Sequence, residues 1–123
     1  MKTSRKELGD LGEQAASDYL MGQGHIVLDR NWRTGHLELD IITLDRKGVH
    51  FVEVKSRVAP VSADPLENVT AVKQRRMVAA AQKYIYEKKL GGREIFFDVI
   101  SVVFDASTTH IDYYQQAFIP IYV

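Results

Sequence analysis

Leu37-Glu38-Leu39-Asp40-Ile41-Ile42-Thr43-Leu44-Asp45-Arg46-Lys47-Gly48-Val49-His50-Phe51-Val52-Glu53-Val54-Lys55-Ser56-Arg57 is the stretch that decides the fold. Two runs rich in β-branched and aromatic residues flank a polar Asp-Arg-Lys-Gly tetrad, the pattern of a β-hairpin whose glycine lets the backbone reach positive φ. In the first run Leu37, Leu39 and Ile41 alternate with Glu38, Asp40 and Ile42. In the second, Glu53 and Lys55 share one face while Val52 and Val54 share the other, because successive strand side chains point to opposite sides. With the tetrad as the turn, positions whose numbers sum to about 93 face each other, which sets Asp40 opposite Glu53. Two carboxylates so placed repel unless something cationic lies between them.

A divalent metal is the simplest such cation. Carboxylate oxygens are hard ligands suited to Mg²⁺ or Mn²⁺, and Mg²⁺ commonly takes one or two carboxylates, with water and substrate phosphate completing its octahedron. The carbonyl of Val54 offers a further oxygen. Lys55 would then stand beside the metal, where it can orient or deprotonate an attacking water or steady charge on a phosphate. The chemistry expected of such a set is phosphodiester hydrolysis.

Outward from the hairpin the elements follow from periodicity. Between Ser4 and Met21, apolar residues recur at three- and four-residue steps, as in an amphipathic helix, and Gly22 and Gly24 stop it. His25 to Trp32 reads as a strand, followed by a turn at Thr34-Gly35. Val58 to Asn68, with Pro60 and Pro65, reads as a loop. A second helix spans Val69 to Leu90 and ends at Gly91-Gly92, and strands follow over Glu94 to Phe104 and around His110 to Tyr114. The expectation is an α/β protein in the order α-β-β-β-α-β-β, a mixed central sheet flanked by helices, forming a single domain over residues 1–123.

Composition narrows what the chain can do. Its 123 residues contain no cysteine, so neither a disulfide nor a thiolate metal site is available. The 46% hydrophobic and 26% charged content is globular rather than disordered. Sixteen Lys+Arg balance 16 Asp+Glu, which excludes a generally basic nucleic-acid coat. The N-terminus lacks the apolar region of a signal peptide, and no apolar run approaches the roughly 20 residues of a membrane helix. A cytoplasmic location without membrane contact is the resulting expectation.

Contact with phosphate must therefore be local. The second helix carries Lys73, Arg75, Arg76, Lys83, Lys88 and Lys89 against the single acid Glu87, and Lys73 and Arg76 share a face. Arg30, Arg33 and Arg57 flank the acidic strands and extend the track. Glu38 reads as a solvated carboxylate. Trp32 either stacks on a base or joins the core. His25, His36, His50 and His110 are scattered without metal-ligand spacing. The apolar stretch from Tyr113 to Val123 either covers the core or forms a dimer contact.

The arrangement of Asp40 and Glu53-Val54-Lys55 resembles the PD-(D/E)xK nuclease superfamily, and the likeness extends along the chain. Leu11-Gly12-Glu13-Gln14-Ala15-Ala16, Arg30-Asn31-Trp32-Arg33, Gly35 through Glu38-Leu39-Asp40-Ile41-Ile42, Phe51 through Arg57, Lys73 through Arg76 and Phe97-Asp98-Val99 are similar, in order, to signatures of the YraN-like (UPF0102) family. The resemblance implies a restriction-endonuclease-like fold similar to archaeal Holliday junction resolvases. It also implies a metal-dependent nuclease acting on DNA, with Asp40, Glu53 and Lys55 as catalytic residues and Glu13 as a helical glutamate reaching the metal. Two departures stand out: His36-Leu37 lengthen the turn after Gly35, and Phe96 stands where an arginine is frequent. Resolving branched DNA would want two active sites, hence a homodimer. The alternatives are a nucleic-acid-binding module that keeps the fold without cutting, and a hydrolase of small phosphate esters.

Overall fold

A computed structural model describes residues 4–120. Ser4 caps helix α1 (Arg5–Gly22), its Oγ accepting from the Glu7 N–H at 3.1 Å. Strands β1 (Ile26–Thr34), β2 (Leu37–Leu44) and β3 (Val49–Val58) follow, then a 3₁₀ turn (Pro65–Asn68), helix α2 (Ala71–Lys88), β4 (Ile95–Asp105) and β5 (Thr108–Tyr114). The strands lie in the order β1-β2-β3-β4-β5. β3 and β4 are parallel, joined by the α2 crossover, while the other neighbours are antiparallel, so the sheet is mixed as expected.

The helices cover opposite faces. On one, Ala16 and Leu20 of α1 pack on Ile41, Val52, Ile100 and Val102. On the other, Met77, Val78, Ala80, Ala81 and Tyr84 of α2 pack on Leu39, Ile42, Val49, Phe51 and Phe97. A strand covered on both faces has no solvent side, which is why Val49 through Glu53 are all buried, the polar His50 and Glu53 included. Trp32 joins the α2-side core edge-on to Tyr84, with ring centroids 5.1 Å apart. The C-terminal stretch covers that same core: the Ala117 N–H donates to the Phe97 carbonyl at 2.8 Å, and the Phe118 ring stacks on Phe97. The end of that stretch, residues 121–123, lies outside the described residues.

Three local readings change. The α2 helix ends at Lys89, which adopts the left-handed conformation (φ 56°) and caps it ahead of the Gly91-Gly92 pair. Gly48 is required by space: a Cβ there would lie 2.2 Å from the Glu94 carbonyl oxygen. The turn itself is held by Asp45, whose Oδ1 accepts from the Lys47 and Gly48 N–H groups at 2.9 and 3.1 Å. In β2 the simple alternation fails, because Leu39 belongs to the α2 face and Ile41 to the α1 face. The reversal falls at Asp40, and across the ladder Asn31 takes φ 51° between the pairs Arg30↔Ile41 and Trp32↔Leu39.

α1 lies close on β3 at Gly12. A Cβ at this position would sit 1.6 Å from Ser56 Oγ and 2.6 Å from Ser56 Cβ, closer than side-chain rotation alone can relieve. Gly12→Ala is expected to lower stability by about 2 kcal/mol, read as a drop in the thermal midpoint. An unchanged midpoint would mean that the helix is not seated on β3 this closely.

Candidate active site

The β2–β3 ladder runs from Leu44↔Val49 to Ile41↔Val52, the register set by the Asp45–Gly48 turn. Past Ile41 the ladder ends while β3 continues beside β4 as far as Val58. At this fork Asp40 Oδ2 accepts the Val54 N–H at 2.9 Å, taking the place of a backbone acceptor on the neighbouring strand. Glu53 is buried and pairs with the Lys73 ammonium from the first turn of α2. Thr70 caps that helix, its Oγ1 accepting from the Lys73 N–H at 3.2 Å, which fixes the point from which Lys73 reaches Glu53.

Two cavities meet at Glu53. One, of about 450 Å³, lies beneath α1 and is lined by Glu13, Asp40, Glu53, Val54 and Lys55, with Arg5 at the first turn of the helix. The other, of about 400 Å³, lies beside α2 and is lined by His36, Glu38, Glu53, Thr70, Lys73 and Arg76. The closeness of α1 to β3 at Gly12 is what brings the neighbouring Glu13 to the first cavity.

The electrostatics of the fork are set by burial and by carboxylates and lysines crowded at one point. Burial, and then the charge of Glu53, push the Asp40 carboxyl up to about 8 against the opposing Val54 N–H. Burial also raises Glu13, opposed by a hydrogen bond from the Asn31 side chain and by the Arg30 guanidinium. Lys55 is lowered by burial and by the Lys73 ammonium. Burial pulls Lys73 down, but the Glu53 carboxylate outweighs it and holds Lys73 above the usual lysine value. The donor set of Asp40, Glu53, Glu13 and the Val54 carbonyl consists of hard oxygens, which fits Mg²⁺ or Mn²⁺ and suits soft metals poorly.

The fold thus gathers Glu13, Asp40, Glu53, Val54 and Lys55 round one cavity and adds Lys73, which sequence spacing had set with the phosphate-contacting residues. Arg76 is exposed on the second cavity. Arg30, Arg33 and Arg57 line neither. Arg30 Nη1 donates to Gln14 Oε1 at 2.9 Å, and Arg33 Nε lies 3.5 Å from Glu38 Oε2. Arg57 anchors the loop after β3, donating from Nη1 to the Ala63 carbonyl at 2.6 Å and from Nη2 to Ser101 Oγ at 3.2 Å. Arg5, Asn31 and Thr70 were not singled out from the sequence. Thr70 had a legible signal, a threonine just ahead of a helical run, whereas Arg5 had none.

An α/β protein with an acidic, lysine-bearing fork between two strands is the class that fold and site define. The chain belongs to the family described as "Uncharacterised protein family UPF0102", whose model matches residues 12–102 and so contains the whole fork. It is 42% identical to a UPF0102 protein of Myxococcus xanthus over 93% of this chain and 90% of the relative. A UPF0102 protein of Clostridium perfringens is 37% identical over 96% of this chain and 98% of its own length. One of Chlorobium chlorochromatii is 44% identical over 78% and 74%. Among the described residues no helix is long and apolar enough to cross a membrane.

Proposed function

We propose that the protein is a metal-dependent nuclease that hydrolyses DNA phosphodiester bonds, with a restriction-endonuclease-like core. The observation that carries this reading is the fork itself: Asp40, Glu53 and Lys55 on one cavity wall, with the Asp40 carboxyl pushed up to about 8 by burial and by the Glu53 charge. Asp40 and Glu53 would hold Mg²⁺ or Mn²⁺, with Glu13 and the Val54 carbonyl as accessory oxygens. The ion supplies Lewis-acid stabilisation of charge developing on the phosphate. Lys55, lowered by burial, takes up the proton of the attacking water or steadies the phosphate at the same point.

The second cavity suits the rest of the substrate backbone. The N-terminal end of α2 offers an adjacent phosphate a favourable helix dipole and the exposed Arg76 guanidinium, with Thr70 and the Glu53-paired Lys73 beside it. Arg76→Ala is expected to weaken DNA binding on every sequence alike and to reduce the slope of log affinity against log salt by about 1. An unchanged slope places the DNA elsewhere.

Incubation with linear, branched and single-stranded DNA, with Mg²⁺, Mn²⁺ or EDTA, tests the main reading. Cleavage that needs the metal supports it. Salt-sensitive binding to all substrates without cleavage favours a non-catalytic nucleic-acid-binding module, and activity confined to nucleotides favours a small phosphate-ester hydrolase. Preference for branched DNA would call for a homodimer, which solution mass measures directly.

A further inference from the structure

Beyond the fork, at the turn end of the hairpin, three side chains from separate elements meet: His25 just ahead of β1, Asp45 in the β2–β3 turn, and His50 in β3. One ligand atom from each lies within 4.8 Å of the other two. His25 and His50 are buried, and their ring centroids are 4.7 Å apart. Asp45 places one oxygen toward each ring: Oδ1 is 2.8 Å from His50 Nε2, and Oδ2 is 3.5 Å from His25 Nε2. The second distance is too long for a good hydrogen bond.

The remaining ring nitrogens are held from behind. His25 Nδ1 is 2.7 Å from Thr43 Oγ1, and His50 Nδ1 is 2.6 Å from Asp98 Oδ2. Asp98 is itself fully buried and fixed by the Tyr113 hydroxyl and by the Gln116 N–H at 3.0 Å. Two Nε2 atoms converging on one carboxylate, each ring oriented through its Nδ1 by an oxygen partner, is the layout of a supported histidine metal site. With both imidazoles neutral, as ligands must be, the Asp45 carboxylate supplies an anionic oxygen to a dication. Lys47 stands exposed at the rim, its ammonium directed to Gln115 Oε1 at 3.4 Å.

We propose that His25 Nε2, His50 Nε2 and the Asp45 carboxylate form a second metal site, for a transition-metal dication of the Zn²⁺ type. A tetrahedral ion with bonds of about 2.0–2.1 Å holds its ligand atoms about 3.3 Å apart, and the three ligand atoms here already lie within 4.8 Å of one another. Two imidazoles select Zn²⁺ or Co²⁺ over Mg²⁺, opposite to the preference of the acidic fork. The side chain of Asp45 is 16% exposed, which leaves a path for entry and a free position for water. The His50 level of the ladder lies about 10 Å along the strand from Asp40, with Ile41 and Val52 paired between. An ion here would fasten the start of β1 and the β2–β3 turn to β3.

Metal-stripped protein titrated with Co²⁺ and Zn²⁺ tests the proposal. One equivalent of Co²⁺ should give the visible absorption of a four- or five-coordinate ion, and saturating Zn²⁺ should raise the unfolding midpoint by about 5 °C or more. Both effects should persist in Asp40→Asn and fall at least tenfold in affinity in His25→Gln and Asp45→Asn. Zn²⁺ X-ray absorption on the unaltered protein should show two imidazoles in the first shell, a readout independent of how the variants fold. An all-oxygen shell, or binding lost in Asp40→Asn and kept in Asp45→Asn, would assign the ion to the acidic fork and overturn the proposal.

Discussion

Lys55→Ala is expected to slow Mg²⁺-dependent DNA cleavage by about 10²–10⁴-fold, the range lost with a general acid–base or charge-stabilising group. Affinity for DNA should change little, because phosphate contact is assigned to the α2 end, and Lys55 contributes one of several nearby cations. Folding should also survive: Lys55 is only partly buried, and its ammonium sits beside that of Lys73, so removing it relieves a repulsion. The conservative variant separates two roles. Lys55→Arg keeps the charge but cannot give up its proton, so it rescues cleavage if Lys55 steadies the phosphate and fails if Lys55 deprotonates water. Single-turnover rates with enzyme in excess of DNA and above the dissociation constant make the measurement; an Ala variant that cuts at the original rate removes Lys55 from the mechanism.

Much of this fold was legible because the hairpin is locally determined. A four-residue polar turn between two β-rich runs fixes the register, and the observed pairs Ile41↔Val52 through Leu44↔Val49 have the register expected from the turn. What the turn could not convey was the reversal at Asp40, which lies across from a left-handed Asn31 on the neighbouring strand, beyond the reach of the turn residues. Lys73 illustrates a second limit. Helical spacing sets it on a face with Arg76, but which way that face turns is decided by the packing of Met77, Ala80, Ala81 and Tyr84 on the sheet. That packing brings Lys73 to Glu53. The histidines show the third limit: His25, Asp45 and His50 come from three elements, so no sequence spacing marks them, and only strand pairing gathers them.

In metal-free protein Asp40→Asn is expected to stabilise the fold, by an amount that grows with pH. Burial and the Glu53 charge push the Asp40 carboxyl from its ordinary 3.8 up to about 8. Between those values the folded protein holds a proton that the unfolded chain has released, so rising pH costs the native state up to about 1.4 kcal/mol per pH unit. Asparagine has no proton to lose, and its Oδ1 can still accept the Val54 N–H that Asp40 accepts at 2.9 Å. The gain should therefore be near zero at pH 4, climb through the neutral range and level off above pH 8. Because the repulsion with Glu53 is shared between two groups, a plateau of about 2–4 kcal/mol is expected. Mg²⁺ should narrow the gap from the other side, since it binds the folded unaltered protein at a site the variant has lost and stabilises that protein alone. Urea unfolding at pH 4, 6 and 8, with EDTA and then with Mg²⁺, gives all six differences. A gain independent of pH would mean that Asp40 ionises in the fold as it does in the open chain. The fork would then have no unmet demand for a cation, and the metal-dependent reading would lose its support.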